Sequence, residues 1–517
     1  MNGAKIILET AKEAGVTVCF TNPGTTEMPL VLAFNSDPSI KTILGLFEGV
    51  CTGAADGYGR MLNVPALTLL HLGPGLANGI ANLHNARRAK VPLVNLIGEH
   101  TTWHRSADPP LAMDIETLSS TVSGWYKTNQ YPYTLSQDLA DAIAAADYGQ
   151  ISTLIVPNDN QLAECPNYKI FRPVFSFEPY DSDSIDNAAQ ILRAHKRTAL
   201  LLGGRSLRDR GLQAAARIRA ATDCDLITEH LPAYIERGAG LPDVVRIPYF
   251  PEAAIKLLSR YEAVVIVQTG EPVSFFGYEG YSSYLLGADQ IKVRIASPEQ
   301  DAAEVLEHLC EALGARNDRK IPETILSKLN RPDIPNGQLT PENVCRTVAA
   351  LQPENAIIVD EGITTSGAYY PLSAGLPRHT FMTTTGGSIG WGMPCALGAS
   401  VACPERQVIN LQADGSAMYT VQALWTEARE GLNITTLICA NRSYNILKAE
   451  LWRIGGASIQ PGVFSVIDLE SPIINWTNLA RGMGVPAVTA DTAEGLAKEL
   501  IRSLSEPGPH LIEMLID

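Results

Sequence analysis

Short runs of apolar residues recur along the chain, and helical spacing of apolar positions fills the segments between them. The runs are Pro65–Leu70, Leu93–Ile97, Thr153–Val156, Ala199–Leu202, Ala263–Val267, Ala356–Val359, Val408–Leu411 and Ile434–Cys439. Strands buried on both faces of a parallel sheet have this continuous apolar character, and helices connect them. The pattern therefore predicts an α/β protein of mainly parallel, doubly wound sheets flanked by helices.

Two proline-containing stretches without a sustained period interrupt this alternation, Cys165–Asp183 and Asn317–Pro341. The second one ends in Thr340-Pro341, a helix-capping residue followed by proline at the first helical position. A chain of 517 residues has room for three domains of about 100–200 residues each. We therefore predict three α/β domains at 1–165, 184–320 and 338–517.

The composition narrows the class of protein. Hydrophobic residues make up 45% of the chain, and the net charge of −15 argues against nucleic acid or an anionic membrane as partner. Nine cysteines without a Cys-x-x-Cys pair favour neither zinc nor a disulfide framework. The N-terminus has the pattern of an amphipathic helix, and no apolar run reaches the ~18 residues of a membrane helix. We expect a soluble, cytoplasmic protein.

Polar residues follow two neighbouring strands of the predicted third domain. Val408–Leu411 leads into Asp414-Gly415-Ser416, and Ile434–Cys439 leads into Asn441. The carboxyl ends of parallel strands form the ligand-binding edge of such a sheet. Asp414 offers a hard oxygen suited to Mg²⁺, Gly415 permits close backbone approach to an anion, and Ser416 offers donors to phosphate. Asp-Gly-Ser alone is also common in ordinary turns. The second cluster, at Asn441, is therefore what favours a metal and diphosphate site.

The two clusters resemble the thiamine diphosphate motif of the pyruvate oxidase and acetolactate synthase family, in which Gly-Asp-Gly is followed by Asn-Asn. The resemblance implies Mg²⁺ held by Asp414, the side chain of Asn441 and the backbone carbonyl of Ser443. It also implies thiamine diphosphate contacts from Gly415, Ser416, Tyr444, Asn445 and Ile446. The chain departs from the motif at Ala413 and Ala440, neither of which is expected to be a ligand.

Two further segments of the third domain are similar to cofactor-binding segments of this family. In residues 383–400, Gly387 would face the aminopyrimidine, and Ile389 would support the bent shape of the cofactor. Taken alone, Ile389 would be a plain core residue. After Ala356–Val359, the hydroxyls of Thr364, Thr365 and Ser366 are candidate diphosphate donors.

The first domain offers a carboxylate for the cofactor. Thiamine chemistry needs a carboxylic acid at the pyrimidine, and a glutamate in an apolar setting suits that role. Glu48 follows the apolar run Ile43–Phe47, and the small residues after it resemble the glutamate site of the family. An exposed helix cap is the alternative. Asn22, Gly24 and Thr25 would line the site, which in this family is shared by two subunits, so a dimer and a tetramer are expected.

Histidines near the predicted site bear on the reaction. His71 stands where benzoylformate decarboxylase has a catalytic histidine, and Glu99 and His100 stand where synthases commonly have glutamine. Histidine is the natural proton carrier near neutral pH, although any of these, His104 above all, could only orient backbone. We predict a lyase or carboligase (transferase) acting on a 2-oxo acid.

Two alternatives stay open, acetolactate synthase proper and a non-catalytic regulatory paralogue. The chain most resembles an acetolactate-synthase-like subfamily. The paralogue is disfavoured because Glu48, Asp414 and Asn441 are all present. The middle domain has no flavin-binding pattern, so we expect no FAD.

Overall fold

The computed structural model describes residues 1–315, 320–453 and 465–516. The first residues of the Asn317–Pro341 break and Asp517, the last residue of the predicted third domain, lie outside this description. Within it, three sheets account for every named strand. The α/β class with mainly parallel sheets flanked by helices is confirmed.

The first sheet has six strands, all parallel, in the order β2-β1-β3-β4-β6-β5. Its strands are β1 (Val18–Asn22), β2 (Lys41–Leu44), β3 (Ala66–Leu70), β4 (Leu93–Glu99), β5 (Trp125–Thr128) and β6 (Ile151–Pro157). Its helices are α1 (Gly3–Glu13), α2 (Met28–Asn35), α3 (Glu48–Leu62), α4 (Leu72–Arg88), α5 (Ile115–Ser120), α6 (Leu135–Asp147) and α7 (Asn158–Leu162). The predicted N-terminal amphipathic helix is α1.

The second sheet has five parallel strands in the order β10-β8-β7-β11-β12. The strands of this part of the chain are β7 (Thr198–Leu202), β8 (Asp225–Thr228), β9 (Ile235–Arg237), β10 (Val245–Arg246), β11 (Ala263–Val267) and β12 (Ile291–Ala296). Its helices are α8 (Ser182–Ala194), α9 (Asp209–Thr222), α10 (Pro251–Leu258) and α11 (Ala302–Ala312). The strand β9 is not part of this sheet, and it pairs antiparallel with a strand of the third one.

The third sheet has seven strands in the order β17-β18-β16-β15-β13-β14-β9. Its own strands are β13 (Ala356–Glu361), β14 (His379–Thr383), β15 (Val408–Ala413), β16 (Ile434–Ala440), β17 (Ala487–Ala490) and β18 (His510–Leu515). Its helices are α12 (Pro341–Leu351), α13 (Tyr369–Ser373), α14 (Gly392–Ala402), α15 (Asp414–Ala417), α16 (Ala423–Glu430), α17 (Asn445–Arg453), α18 (Trp476–Gly482) and α19 (Ala493–Ser505). As predicted, Thr340 caps α12, accepting a hydrogen bond from the Asn343 amide at 3.2 Å.

The first and third sheets are joined through α3 and α14, whose backbones touch. A Cβ added at Gly57 would lie 2.2 Å from the Cys395 carbonyl oxygen, and one added at Gly398 would lie 1.8 Å from the Ala54 carbonyl oxygen. Such contacts allow only glycine, because a side chain would force the helices apart. The elements that carry Glu48 and the segment before α14 are therefore packed rigidly together.

No helix within the described ranges is long and apolar enough to cross a membrane. All nine cysteines are free and buried.

Candidate active site

The predicted metal ligands meet at the carboxyl edge of the third sheet. Asp414 follows β15 and is 3% exposed, and its carboxylate accepts hydrogen bonds from the Arg442 amide at 2.7 Å and the Gly415 amide at 2.8 Å. Burial raises the pKa of Asp414, while these amides act in the opposite direction. Asn441 follows β16, and its side-chain oxygen accepts from the amide of the buried Ser443 at 3.1 Å. The carboxylate thus reaches the main chain next to Asn441.

The candidate diphosphate donors lie after β13 and β15 at the same edge. Thr365 and Ser366 are buried, and Thr364 is exposed. The Ser416 hydroxyl donates to the Ala413 carbonyl at 3.1 Å and accepts from Gln412 Nε2 at 2.9 Å. The exposed Thr364 hydroxyl is therefore the most accessible donor of the four.

Residues 386–391 form a turn before α14 that carries Gly387 and Ile389. Gly387 has a φ of +73° and is exposed, while Ile389 is half-buried. Helix α4 holds this turn through Asn85. The Asn85 Nδ2 donates to the Ser388 carbonyl at 2.7 Å, and the Ser388 amide donates to Asn85 Oδ1 at 3.1 Å. The position of the turn therefore depends on the first domain of the same chain.

Sequence reasoning missed Glu361, which holds the same turn from inside. Its carboxylate is 1% exposed and accepts from the amides of Gly390, Trp391 and Gly392 at 3.0, 3.2 and 2.8 Å. Gln412 Nε2 donates to it as well, at 2.8 Å. Burial raises the pKa of Glu361, and these donors oppose the shift. An acidic residue at the end of an apolar strand was the signal that could have found it.

Glu48 opens α3 at the carboxyl edge of the first sheet. Its side chain is half-buried, and Asn78 Nδ2 donates to Oε2 at 3.0 Å. Gly75 makes room for it, since a Cβ there would lie 3.3 Å from Glu48 Oε1. Asn78 of α4 thereby fixes the Oε2 atom of Glu48.

His71 lies between β3 and α4, and it is held by a second carboxylate that the sequence analysis did not single out. Glu27 is fully buried, and its Oε2 lies 2.8 Å from His71 Nδ1. The imidazole lies against Gly24, where a Cβ would come within 2.2 Å of Nδ1. Gly98 gives Glu27 its space, because a Cβ there would lie 1.7 Å from Oε1. A glutamate directly before the apolar helix α2, at the end of the polar loop after β1, was the available signal.

The remaining predicted residues of the first domain lie at the same edge with different exposures. Glu99 is 3% exposed, and its Oε1 accepts from the His100 amide at 2.7 Å while Oε2 lies 3.4 Å from Arg105 Nε. His100 Nε2 is buried, and among the described residues it has no hydrogen-bond partner. Asn22 donates to the Gly45 carbonyl at 2.8 Å, and Thr25 is exposed. Glu99 thus orders the loop after β4, and His104 is exposed on it.

The predicted residues accordingly fall into two clusters on two sheets. Within the described parts of the chain, no hydrogen bond joins Glu48 or His71 to the cluster around Asp414 and Asn441. The contact between them runs through the turn that carries Gly387, which Asn85 of α4 holds by hydrogen bonds to Ser388. Both clusters have the oxygen and nitrogen chemistry that a charged cofactor would need.

Comparison with known proteins decides the family. Two family descriptions match the chain, "Thiamine pyrophosphate enzyme, N-terminal TPP binding domain" over residues 1–119 and "Thiamine pyrophosphate enzyme, C-terminal TPP binding domain" over residues 362–514. The chain belongs to the thiamine pyrophosphate enzymes. Thiamine pyrophosphate and thiamine diphosphate are two names for the same cofactor. All the predicted site residues of this thiamine pyrophosphate enzyme lie inside the two matched ranges.

Individual relatives match over the whole length. A Mycobacterium tuberculosis protein provisionally named acetolactate synthase large subunit IlvX is 42% identical, over 100% of this chain and 99% of its own. Benzoylformate decarboxylase of Pseudomonas aeruginosa is 28% identical, over 98% of this chain and 97% of its own. The solved structure of a thiamine diphosphate-dependent 4-hydroxybenzoylformate decarboxylase from Rhodococcus jostii RHA1 has a TM-score of 0.85 at 24% identity and full coverage of both chains. That likeness supports the fold of this thiamine pyrophosphate enzyme.

The donor set fits the cofactor of a thiamine pyrophosphate enzyme. The described residues contain no group of three or more His, Cys, Asp or Glu side chains able to hold a metal alone. One carboxylate with an amide and a carbonyl oxygen is instead a set that suits Mg²⁺ shared with phosphate oxygens. At Gly415 the backbone is in contact with the Tyr444 ring, since a Cβ there would lie 2.4 Å from Tyr444 Cε1.

Proposed function

We propose that this enzyme binds thiamine diphosphate with Mg²⁺ and cleaves or forms the carbon–carbon bond next to the carbonyl of a 2-oxo acid. The cofactor, when bound, supplies the nucleophilic carbon and takes up the electrons released on decarboxylation. Asp414, Asn441 and the Ser443 carbonyl would bind Mg²⁺, and Glu48 would hold a proton at the pyrimidine. Gly415, Ser416, Thr364, Thr365, Ser366 and residues 444–446 would bind the cofactor.

The observation that carries the reaction type is the His71–Glu27 pair. Glu27 fixes Nδ1 at 2.8 Å, so the imidazole is oriented and its Nε2 is left to exchange a proton with the reacting group. This arrangement supports a protonation step, and hence release of an aldehyde after decarboxylation. The name of the M. tuberculosis relative favours acetolactate synthase as the second candidate.

A substrate screen and one substitution test the proposal. Purified protein with thiamine diphosphate and Mg²⁺ is offered a series of 2-oxo acids, and carbon dioxide, aldehyde and acetolactate are measured. Glu48→Gln should keep cofactor affinity in calorimetry but slow the exchange of the C2 proton of the bound cofactor by about 100-fold or more. Glu405→Gln, an exposed carboxylate, is the matched control.

Each result discriminates between the candidates. Normal exchange in Glu48→Gln would remove its assigned role, and absence of cofactor binding in the wild type would leave only the regulatory paralogue. Acetolactate from pyruvate, together with flavin absorbance, would favour the synthase. The absence of FAD and the cytoplasmic location both stay predictions.

We further propose a dimer with shared sites, assembled into a tetramer. The separation of the clusters on two sheets supports it, as do exposed apolar side chains near both, such as Trp103 at 74% and Tyr419 at 55%. Mixing Glu48→Gln subunits with Asp414→Ala subunits, each inactive alone, should restore activity after exchange, because one site of the mixed dimer is intact. Absence of complementation, with subunit exchange verified by mass spectrometry, would contradict sharing.

A further inference from the structure

The loop between β11 and β12 carries an unusual density of aromatic side chains. We call residues 272–285 the aromatic hairpin. Its two ends are tied by a bridge between Val273 and Tyr284, and by a hydrogen bond from the Leu285 amide to the Pro272 carbonyl at 2.9 Å. The stem therefore fixes the direction in which the tip, from Phe275 to Tyr281, projects.

The tip of the aromatic hairpin is attached to α17. The Tyr278 hydroxyl donates to Glu450 Oε1 at 2.9 Å. The Arg453 guanidinium lies 4.0 Å from the centre of the Tyr278 ring and is ion-paired with Glu252. Because α17 begins directly after the proposed metal ligands, this attachment brings a central-domain loop to the edge of the proposed site.

Phe275 lies against the proposed cofactor segment. A Cβ added at Gly387 would come 2.6 Å from Phe275 Cζ, so the ring and this backbone are in contact. The Phe275 ring also packs edge-on against Phe276, with centroids 5.0 Å apart, and tilted against Tyr249 at 5.3 Å. Together these rings form one apolar wall next to Gly387.

This wall is exposed although its members are large and apolar. Phe275 is 41% and Phe276 is 54% exposed. An exposed apolar surface that is held in place, as the hairpin stem and α17 hold this one, marks a place where an apolar group docks. Because Gly387 is proposed to face the cofactor, a group docked on this wall would lie beside the cofactor, where the side chain of the substrate is expected.

We infer that Phe275 and Phe276 are specificity-determining residues and that the preferred substrate is a 2-oxo acid with an aromatic side chain. This rests on the proposed function. An aryl ring can pack edge-to-face on the two phenylalanines, whereas the methyl group of pyruvate covers little of either ring. The proposed occupant is thus the flat side chain of the substrate.

Binding of unreactive analogues to the holoenzyme tests the inference separately from turnover. Mandelate and lactate carry a hydroxyl in place of the 2-oxo group, and they differ in an aryl or a methyl side chain. Calorimetry should show mandelate binding at least about tenfold more tightly than lactate. Phe275→Ala and Phe276→Ala should each remove most of that preference and leave lactate binding unchanged.

Controls separate the possible outcomes. Tyr126→Ala, an exposed aromatic on β5, should keep the wild-type preference, and thermal unfolding checks that each variant is folded. Equal binding of the two analogues, or an unaltered preference in both phenylalanine variants, overturns the inference while turnover of other 2-oxo acids leaves the proposed function standing. No cofactor binding and no turnover of any 2-oxo acid would overturn both.

Discussion

The Glu27 carboxylate is fully buried and contacts Nδ1 of His71, whose side chain is 23% exposed. A buried charge is costly unless hydrogen bonds compensate it, and Glu27 has them from the Gly24 amide at 2.8 Å and the Thr26 hydroxyl at 2.6 Å. The cost of burial is thus offset by contacts that also fix the geometry of the pair. We propose that Glu27 acts through His71 as a positioning residue.

Replacing Glu27 by glutamine should separate orientation from charge. Glu27→Gln keeps the size of the side chain, but it can present an amide N–H to Nδ1 and so force the other tautomer of His71. We expect the turnover number to fall by about 100-fold, with the pH profile of kcat/KM displaced and cofactor affinity unchanged. Steady-state kinetics across pH and calorimetry measure both quantities.

The control for this substitution is Thr26→Val, which removes only the weaker 3.3 Å contact with His71 and one hydroxyl bonded to Glu27. Its effect should be smaller, and its pH profile should stay close to that of the wild type. An unchanged pH profile in Glu27→Gln would show that the pair serves structure alone.

At the scale of single residues, the sequence predicted candidate site residues where a recognisable motif surrounds the side chain. Glu48, Asp414 and Asn441 are predicted because each follows an apolar strand and has a characteristic neighbour. Glu27 and Glu361 have no such context, and their burial depends on distant partners such as Gly98 and Gln412. Their roles as site residues, like those of the predicted ones, stay proposals until they are tested.

Among the elements, α3 and α14 form the tightest junction. Asp56 on α3 accepts from Trp391 Nε1 at 2.5 Å and from Arg60 Nε at 3.0 Å, and all three side chains are buried. The glycines on the facing sides bring the two backbones into contact. A pair of helices packed in this way moves as one unit.

Adding a single methyl group at this junction should be destabilising. Alanine in a helix is usually better than glycine by ~1 kcal/mol, but at Gly398 its Cβ would lie 1.8 Å from the Ala54 carbonyl oxygen. We expect Gly398→Ala to lower the free energy of unfolding by about 1–3 kcal/mol, measured by urea denaturation with an unchanged m value. Gly482→Ala, with nothing within 4 Å, should change it by less than about 0.5 kcal/mol.

The elements themselves were predictable to different degrees. Buried strands such as β11, predicted and observed at Ala263–Val267, are recognisable because both faces are apolar. The edge strand β5 is partly exposed, and β9 pairs antiparallel with β14, which lies more than 140 residues further along the chain. Local pattern cannot predict strands whose stability comes from distant neighbours.

In the whole molecule, the free energy of unfolding should depend on pH through the buried Glu427, whose Oε1 has no hydrogen-bond partner among the described residues. Glu427 on α16 is 1% exposed, and burial raises its pKa to about 8 from 4.5. The folded protein therefore favours the protonated form. The stabilisation linked to that proton is complete below pH 4.5 and is lost as the pH rises through about 8.

Glu427→Gln should remove this dependence. Its stability relative to the wild type should increase by roughly 1.4 kcal/mol for each pH unit between the two pKa values and level off above them. Urea unfolding at pH 6 and 8 measures the change, with the exposed Glu405→Gln as control. A difference between variant and wild type that is the same at both pH values would contradict the assignment.

The three predicted domain ranges remain predictions, although each contains most of one sheet. The third sheet extends beyond its predicted range by taking β9 from residues 235–237. A boundary inferred from composition marks where the chain crosses between domains, but not which sheet a later segment joins. Pairing across domains was invisible in the sequence for that reason.

The buried cysteines give this protein a built-in set of unfolding reporters. Only the thiolate reacts with alkylating reagents, and burial raises the pKa of thiols such as Cys51, to about 12, and Cys224, to about 11. Each sheet region has its own thiols: Cys19, Cys51 and Cys165; Cys224 and Cys310; Cys345, Cys395, Cys403 and Cys439. Pulsed alkylation followed by peptide mass mapping would therefore reveal the order in which the three sheets open, with no label engineered into the chain.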